Sequence, residues 1–356
     1  MLNFTVGPVM SPQYVLDVSA QDAPYFRTPE FSQVMLENER RMLELLSAPE
    51  GSRCVFLTAS GTGAMETAVM GVLRPAERVV VINGGSFGAR FVELCELHGH
   101  EVDVIAPDFG RQVTREQLEE AASKGATALL INMHETSSGI LYDMAAVAGV
   151  CKSHGMLLIV DAVSAFIADP IDMEQLGADV VLTGSQKALA CHPGVSVMAL
   201  SPRAQERVHE VPEICRYLSL KEALANGERG QTPWTPAVTT LLEISERLKA
   251  ISERGIEAER ADMARKAAEV RSVASEIGLR LVAENPSNAV SAFWCDRHNA
   301  KEIIRVAKDD YGMWLCPNGG SMADDVFRIG HIGAISDEDN KTLLDALRSM
   351  HDRGVI

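Results

Sequence analysis

The sequence predicts an α/β fold in which helices cover a mainly parallel β-sheet. Short runs rich in Val, Ile and Leu recur along the chain and are apolar at consecutive positions, which is typical of strands buried on both faces. Helical stretches lie between these runs, and this alternation predicts crossover connections between parallel strands. The chain, with 356 residues of which 46% are hydrophobic, is also long and apolar enough to bury a large core.

The elements of the first domain follow a β-α-β-α order. The predicted strands are CVFLT at 54–58, RVVVI at 78–82, TALLINM at 127–133, MLLIVD at 156–161, DVVLT at 179–183 and GVSVMAL at 194–200. The predicted helices are 63–73, 87–98, 114–124 and 143–154. Together these elements predict one α/β domain over roughly the first 250 residues.

The composition changes after the Pro-rich segment QTPWTPA at 231–237. Residues 237–277 are dense in Ala, Glu and Arg, which predicts long helical structure. The elements that follow are RLVAE at 280–284, VSAFWC at 290–295, FRIGHIG at 327–333 and a last helix opened by the cap-like SDED at 336–339. We therefore expect an N-terminal arm over 1–15, a large α/β domain over 16–250 and a smaller α+β domain over 251–356.

Charge and composition exclude several classes of partner. The formal net charge of −16 would repel a phosphate backbone, so nucleic acid is not an expected partner. No apolar run approaches the ~18 residues of a membrane span, and the N-terminal sequence lacks the pattern of a secretory signal, so we expect a cytoplasmic protein. The seven cysteines show no C-x-x-C spacing and the histidines no H-x-x-x-H pattern, so neither a disulfide framework nor a metal site is expected.

The stretch LTASGTGAME at 57–66 combines a strand end, a turn of small residues and a helix start. Such a turn exposes backbone N–H groups and the positive end of a helix dipole, which together suit a phosphate group. Many βα turns contain Ser, Gly and Thr for capping and geometry alone. These residues by themselves leave both interpretations open.

An acid and a lysine follow two successive predicted strands. Asp161 ends the run MLLIVD, and Lys187 follows the run DVVLTGSQ. Open α/β sheets bind ligands at the carboxyl ends of their strands, so both side chains are expected to reach one crevice. Asp161 taken alone is more often a helix cap or a turn residue than a ligand-binding acid. A charged lysine among buried strands is costly unless it is paired or neutralised, so Lys187 requires an explanation.

Pyridoxal 5′-phosphate explains the lysine, the acid and the phosphate-binding turn together. This cofactor needs a lysine for its Schiff base, an acid to keep its ring nitrogen protonated and a cradle for its phosphate. Asp161 would keep the cofactor an electron sink for the carbanion formed at the substrate Cα. Lys187, once released by the amino substrate, would move the proton between Cα and C4′, helped by an amine pKa that burial lowers.

A series of short motifs runs through nearly the whole chain. They are TVGP (5–8), FRTPEF (26–31), SGTG (60–63), NGGSFGAR (83–90), HETSSG (134–139), VDAVSA (160–165), TGSQKAL (183–189), QTPWTP (231–236) and FRIGHIG (327–333). In this series the sequence resembles the class V pyridoxal-phosphate aminotransferases of fold type I, close to the alanine–glyoxylate and 2-aminoethylphosphonate–pyruvate aminotransferases. The resemblance implies a fold type I transferase, with an internal aldimine at Lys187 and the ring nitrogen paired with Asp161.

The resemblance also implies roles for other cofactor contacts. The residues that would bind the phosphate are Ser60, Gly61, Thr62 and Gln186. Phe87 would stack on one face of the ring and Val163 would contact the other. Thr136 would hydrogen-bond the phenolic oxygen of the cofactor. Thr235 resembles a threonine that the neighbouring subunit contributes to the phosphate site, which implies a homodimer with shared active sites.

Two arginines are implied as substrate contacts. Arg328, in FRIGHIG, matches the arginine that grips the substrate carboxylate in this family, and its fork suits a bidentate hold on that group. An ordinary surface ion pair is the structural alternative for Arg328. Arg27, in FRTPEF, lies in a loop that is near the active-site mouth in related sequences. A contact with substrate and a structural role at the dimer interface are equally open for Arg27.

The leading hypothesis is a transaminase that moves an amino group from a small donor to pyruvate or glyoxylate. The donors considered are 2-aminoethylphosphonate, alanine and serine, and family likeness favours 2-aminoethylphosphonate. A phosphonate dianion carries more negative charge than a carboxylate and would require a second cation near Arg328, which Arg27 or Arg90 could supply.

Two other classes of function compete with transamination. A cysteine desulfurase or another lyase on the same fold would need a nucleophilic cysteine, and Cys316 is the nearest candidate in sequence. Desulfurases typically stack a histidine on the cofactor, whereas this chain has Phe87, which favours transamination. A binding or regulatory module without catalysis would be expected to lack the lysine or the aspartate, and both are present.

Overall fold

The computed structural model describes residues 1–356. The first part of the chain contains, in order, β1 (Leu2–Asn3), α1 (Gln13–Ser19), α2 (Pro29–Leu45), β2 (Arg53–Leu57), α3 (Gly61–Val72), β3 (Arg78–Ile82), α4 (Ser86–Leu97), β4 (Glu101–Ile105), α5 (Arg115–Ala122), β5 (Ala128–Asn132), β6 (His134–Glu135), β7 (Ile140–Leu141), α6 (Met144–His154) and β8 (Leu157–Asp161). The remainder contains α7 (Met173–Leu176), β9 (Val180–Gly184), β10 (Ser196–Leu200), α8 (Pro202–Glu210), α9 (Leu220–Gly227), α10 (Val238–Arg254), α11 (Ile256–Glu276), β11 (Arg280–Leu281), β12 (Val290–Trp294), α12 (Ala300–Tyr311), β13 (Met313–Trp314), β14 (Cys316–Pro317), β15 (Val326–Gly330) and α13 (Asp337–Asp352), with a 3₁₀ turn at Gly320–Met322.

Seven strands form the main sheet, in the order β2-β10-β9-β8-β5-β3-β4. Strand β10 is antiparallel to both of its neighbours, and all other pairs are parallel. The predicted mainly parallel sheet is therefore confirmed. The connection from β9 to β10 covers only residues 185–195, which is too short for a crossover helix, so the strand predicted at 194–200 returns antiparallel.

Strand β3 shows why continuous apolar runs in the sequence predict strands that are buried on both faces. Val79 and Val81 pack into the core on one face of the sheet, whereas Val80 and Ile82 pack into the core on the other face. A strand whose side chains alternate between two buried faces must be apolar at every position. The helices on the two faces complete these cores, which yields the predicted α/β architecture.

The C-terminal part forms a separate four-stranded antiparallel sheet, in the order β11-β12-β15-β14. The helical stretch predicted over 237–277 is two helices, because Gly255, with φ of +87°, ends α10 and lets the chain turn into α11. The cap predicted for the last helix is present. Ser336 Oγ accepts a hydrogen bond from the Asp339 N–H at 3.0 Å, and the Asp339 carboxylate accepts one from the Ser336 N–H at 2.9 Å.

The N-terminal segment links the two sheets. Strand β1 pairs with β13 in the C-terminal part, and the Gly330 N–H of β15 donates to the Phe4 carbonyl oxygen at 2.7 Å. The chain then crosses to the main sheet, where the Val9 N–H donates to the Gln186 carbonyl oxygen at 3.3 Å. This path brings residues 5–8 past the loop that carries Lys187. None of the helices combines the length and apolarity that crossing a lipid bilayer requires.

Candidate active site

A cavity of about 550 Å³, open to solvent, lies where β2, β8 and β9 end. Because β2 and β9 are both antiparallel to β10, β2 points the same way as β8 and β9, and all three carboxyl ends meet at this edge. Most of the residues predicted for the cofactor line this cavity: Ser60, Gly61, Thr62, Phe87, Thr136, Asp161, Val163, Gln186 and Lys187.

Lys187 extends into the cavity from the short β9–β10 connection and is 8% exposed. Its Nζ donates a hydrogen bond to the Val6 carbonyl oxygen at 2.5 Å. Burial lowers the pKa of the Lys187 amine to about 8, against a smaller opposing effect of the Asp161 carboxylate. A much larger fraction of this amine is therefore neutral at physiological pH than of an exposed lysine, which reduces the cost of placing it among buried strands.

Gly7 shapes the position of Lys187. Its φ is +124°, and a Cβ added to it would lie 2.8 Å from Cδ and 3.0 Å from Nζ of Lys187. Any side chain at this position would therefore push against the lysine. The segment Val6-Gly7-Pro8 thus has, at position 7, a residue without a side chain where Lys187 passes closest.

Asp161 ends β8 and is held by two hydrogen bonds. Its Oδ1 accepts from the Val163 N–H at 2.8 Å, and its Oδ2 accepts from Asn132 Nδ2 at 2.5 Å. Burial raises the pKa of the Asp161 carboxyl to about 6, although both hydrogen bonds oppose that increase. Asn132 pairs with Asp161 in register across β5 and β8, so it is the adjacent strand end that fixes the carboxylate.

The turn between β2 and α3 is suited to an anion. Ser60 is the N-cap of α3 and makes no side-chain capping bond, so the N–H groups of the first turn remain available. Arg90 Nη1 donates to Thr62 Oγ1 at 3.0 Å, and the Arg90 guanidinium lies 5.0 Å from the centre of the Phe87 ring. Arg90 thus adds positive charge to this wall of the cavity.

Glu135 anchors the segment that carries Phe87. One of its carboxylate oxygens accepts from the Phe87 and Gly88 N–H groups at 3.2 and 3.0 Å, at the N-terminus of α4. The other accepts from the Ser137 N–H at 3.1 Å and from Ser137 Oγ at 2.6 Å. Glu135 is 1% exposed, and it joins the two segments that hold Phe87 and Thr136.

Arg328 reaches the same region from β15 of the smaller sheet. Its Nη1 donates to the Thr136 carbonyl oxygen at 3.1 Å and its Nη2 to the Pro317 carbonyl oxygen at 2.5 Å. Its Nε is buried without an acceptor, and burial lowers the pKa of the guanidinium from its ordinary value. The surface ion pair considered as the alternative for Arg328 is not formed.

Two of the predicted site residues lie elsewhere in this chain. Arg27 donates to Gln231 Oε1 at 3.0 Å and to the Thr232 carbonyl oxygen at 2.8 Å, so it braces the QTPWTP segment. Thr235 lines a different, smaller pocket with Tyr217. Conversely, sequence reasoning missed several residues that line the cavity, which are Met65, Asn132, His134 and Ser164. Of these, Asn132 ends β5, the strand beside β8, and only the strand order reveals that it lies next to Asp161.

The family model of aminotransferase class V matches residues 14–315 of the chain. The chain belongs to the class V aminotransferases. This class V aminotransferase is 30% identical to the L-aspartate–glyoxylate aminotransferase of Paracoccus denitrificans (strain Pd 1222) over 348 residues, which cover 94% of this chain and 87% of that protein. It is 31% identical over 340 residues to a soluble hydrogenase 42 kDa subunit of Anabaena cylindrica, covering 94% and 88% of the two chains.

Among solved structures, an aspartate aminotransferase of subgroup IV from Thermus thermophilus matches the class V aminotransferase with a TM-score of 0.93. The two are 30% identical, and the match covers 99% of each chain. The expectations of a fold type I transferase and of a pyridoxal-phosphate-dependent aminotransferase are confirmed.

The polar atoms of the cavity fit the cofactor that this family implies. Nδ1 and Nε2 of His134 and Oδ1 of Asn132 are buried without a hydrogen-bond partner in the protein. Buried polar groups rarely stay unpaired, so the cavity offers sites that a polar ligand would satisfy. An amine at Lys187, a carboxylate at Asp161 and the helix terminus at Gly61 supply the remaining groups that pyridoxal 5′-phosphate needs.

Proposed function

We propose that this protein transfers the amino group of a small L-amino acid to a small 2-oxo acid, glyoxylate or pyruvate, with pyridoxal 5′-phosphate held at Lys187. The observation that carries the proposal is the convergence of three groups on one cavity. These are the buried Lys187 amine with its lowered pKa, the buried Asp161 carboxylate and the uncapped N-terminus of α3. When bound, the cofactor supplies an electron sink for the pair released at the substrate Cα.

Asp161 and Lys187 have different proposed roles toward the cofactor. Asp161, fixed by Asn132 and Val163, would hold the proton on the ring nitrogen of the cofactor. Lys187 would hold the cofactor through Nζ and would move the proton at the substrate Cα. Its pKa near 8 suits it to accept and release a proton near neutral pH.

Arg328 is proposed to bind the substrate carboxylate. Its Nε has no acceptor in the protein, and its two terminal nitrogens donate only to backbone carbonyl oxygens. A carboxylate is a stronger acceptor for a guanidinium than a carbonyl oxygen is, so a substrate would compete well for these donors. The contact with the Thr136 carbonyl oxygen places the guanidinium beside the cavity wall.

Of the two further cations considered, Arg27 is held by Gln231 and Thr232 outside the cavity, whereas Arg90 lines the cavity. The proposed donor is an α-amino acid in place of the 2-aminoethylphosphonate that family likeness favoured. The relative named as an L-aspartate–glyoxylate aminotransferase supports aspartate as an additional donor and glyoxylate as the acceptor.

We further propose a cytoplasmic homodimer with shared active sites. Thr235 lies outside the cavity of its own chain, so it can join a phosphate site only if that site belongs to a second copy. Arg27 would then act indirectly, by fixing the segment that presents Thr235. For the alternative of a cysteine desulfurase, Cys316 lies in the short strand β14 and outside the cavity lining, although it is near enough to Lys187 and Arg328 to raise the pKa of both groups.

Transfer of an isotope-labelled amino group tests the proposed function directly. The loaded protein is incubated with glyoxylate and, one at a time, nitrogen-labelled aspartate, alanine, serine and 2-aminoethylphosphonate. Labelled glycine formed with an α-amino acid supports the proposal and identifies the donor. Absence of labelled glycine with every donor, and of labelled alanine when pyruvate replaces glyoxylate, would overturn it, as would sulfide release from cysteine in place of transfer. The Lys187→Ala variant shows the background that does not depend on the lysine.

A further inference from the structure

A buried carboxylate outside the cavity lining joins the main sheet to the C-terminal sheet. Asp169 belongs to the segment that follows β8, and it is 1% exposed. Its Oδ2 accepts a hydrogen bond from Ser287 Oγ, and its Oδ1 accepts one from the Asn288 N–H at 3.0 Å. Ser287 and Asn288 lie just before β12, so this carboxylate holds one end of the C-terminal sheet.

The segment that connects Asp161 to Asp169 is rigid. The Asp169 N–H donates to the Ala165 carbonyl oxygen at 2.8 Å, and the Ala165 N–H donates to the Ala162 carbonyl oxygen at 3.1 Å. Ile167 in this segment is fully buried and has φ of +72°. A β-branched residue keeps that conformation only where its surroundings fix it. The position of Asp169 is therefore tied to that of Asp161.

On the other side of the contact, β12 leads to Arg328. Ala292 of β12 is the register partner of Arg328 in β15. The pairing continues beyond the end of β12, because the His331 N–H donates to the Ala289 carbonyl oxygen at 2.9 Å. A movement of the residues that Asp169 holds would therefore move Arg328 as well.

Arg271 of α11 bonds to the same end of the C-terminal sheet. Its Nε donates to Ser291 Oγ at 2.9 Å, and its guanidinium also donates to the Ser287 carbonyl oxygen. Ser291 Oγ in turn lies 2.8 Å from His331 Nε2. The negative charge of Asp169 raises the pKa of Arg271, against the larger effect of burial. The Asp169 contact thus belongs to a buried polar network, in which the loss of one partner leaves others unsatisfied.

We propose that Asp169 is a positioning residue, which fixes Arg328 relative to Asp161 and so fixes the substrate carboxylate relative to the cofactor. This inference rests on the proposed function, in which Arg328 binds that carboxylate. Asp169 itself lies outside the cavity lining. Loss of its contact should therefore weaken the binding of the amino acid and leave the binding of the cofactor unchanged.

The variants Asp169→Ala and Asp169→Asn test this role. Alanine removes both acceptors, whereas asparagine keeps an acceptor for the Asn288 N–H and can donate to Ser287 Oγ. The substrate is whichever of L-aspartate, alanine and serine transfers its labelled amino group. We expect Asp169→Ala to raise KM for this amino acid about tenfold in steady-state kinetics, with kcat changed less than about twofold. Asp169→Asn should restore most of the wild-type KM.

Combination with Arg328→Ala distinguishes positioning from a general loss of packing. If Asp169 acts through Arg328, its effect should disappear once the guanidinium is absent, because residues that act together are not additive. In the Arg328→Ala protein, Asp169→Ala should therefore change kcat/KM by less than about twofold. The same loss of kcat/KM in both backgrounds would overturn the inference.

Asp179→Ala is the matched control. Asp179 is 4% exposed and accepts hydrogen bonds from Ser201 Oγ at 3.0 Å and from the Leu158 N–H at 2.9 Å, so it also pairs with one hydroxyl and one backbone group. It precedes β9, at the edge of the sheet opposite the cavity. This variant should lose stability, as Asp169→Ala does, and keep the wild-type KM.

An unchanged KM in Asp169→Ala would overturn the inference, and so would equal losses of affinity for the amino acid and for pyridoxal 5′-phosphate. If Asp169→Ala does not fold, Ser287→Ala replaces it, since this variant removes only the hydroxyl donor. Its KM should rise about threefold, and an unchanged KM would again overturn the inference. These results leave the proposed function intact if the wild-type protein transfers the labelled amino group. A wild-type protein that transfers none would refute the proposed function and this inference with it.

Discussion

Replacing Gly7 with alanine tests whether the N-terminal segment sets the position of Lys187. The added Cβ would lie 2.8 Å from Cδ and 3.0 Å from Nζ of the lysine, and 3.1 Å from the Gln186 carbonyl oxygen. Comfortable carbon contacts begin at about 3.5 Å, so the lysine must retreat by about 0.7 Å. That movement also weakens its hydrogen bond to the Val6 carbonyl oxygen.

Both the rate of cofactor attachment and the stability of the protein should respond. A misplacement of about 1 Å at a reacting group can cost about 100-fold in rate, which sets the expected loss for Gly7→Ala. The φ of +124° adds a backbone cost of about 1–3 kcal/mol for a residue with a side chain. Stopped-flow absorbance after mixing the cofactor-free protein with pyridoxal 5′-phosphate measures the rate, and urea unfolding measures the stability.

Gly99→Ala is the matched control for the backbone cost. Gly99 has φ of +78°, and a Cβ added there meets nothing within 4 Å. This variant should lose stability through its backbone alone and attach the cofactor at the wild-type rate. If Gly7→Ala attaches the cofactor as fast as Gly99→Ala does, the N-terminal segment does not position the lysine and the reasoning is refuted.

Three further predictions concern charge and pH. Arg328→Lys keeps the charge but loses the fork, so steady-state kinetics should show KM for the amino acid rising about 10–100-fold while cofactor affinity stays unchanged. The pKa of Asp161 is about 6 in the folded protein, above its ordinary value of 3.8, so between these two pH values the folded state binds the proton more tightly than the unfolded state does. The free energy of unfolding of the cofactor-free protein should therefore fall by about 3 kcal/mol as the pH rises from 3.8 to about 6. Asp161→Asn should abolish that fall in urea unfolding, and an unchanged fall would contradict the burial argument. The rate of cofactor attachment should rise about tenfold per pH unit up to about pH 8, where Lys187 becomes neutral, and a rate that is flat below pH 8 would contradict this.

The sequence could predict the fold and the centre of the site because both depend on local patterns. Continuous apolar runs identified the strands, and Asp161 and Lys187 were expected to meet because each follows the end of a strand. The direction of β10 depended instead on the length of one connection, and the break at Gly255 interrupts a sequence that is helical on both sides. Neither feature alters the apolar pattern from which the elements were predicted.

The supporting residues of the site were beyond prediction because they depend on which strands are neighbours. Asn132 contacts Asp161 only because β5 lies beside β8 in register, and nothing near either residue in sequence encodes that pairing. The HETSSG motif by itself assigns no role to Glu135, and only the structure shows that it accepts hydrogen bonds from the Phe87 and Gly88 N–H groups. For Thr235 the resemblance gave a role that a single chain does not display, because its proposed place is in the active site of a second copy of the chain.

Covalent trapping of the cofactor tests the central claim most directly. The protein is loaded with pyridoxal 5′-phosphate, reduced with borohydride and digested, and the modified peptide is identified by mass spectrometry. A cofactor adduct on Lys187, and on no other lysine at stoichiometric loading, is the predicted result. An adduct on a different lysine, or no adduct on a protein that remains folded, would contradict the assignment of the cavity at the ends of β2, β8 and β9 as the active site.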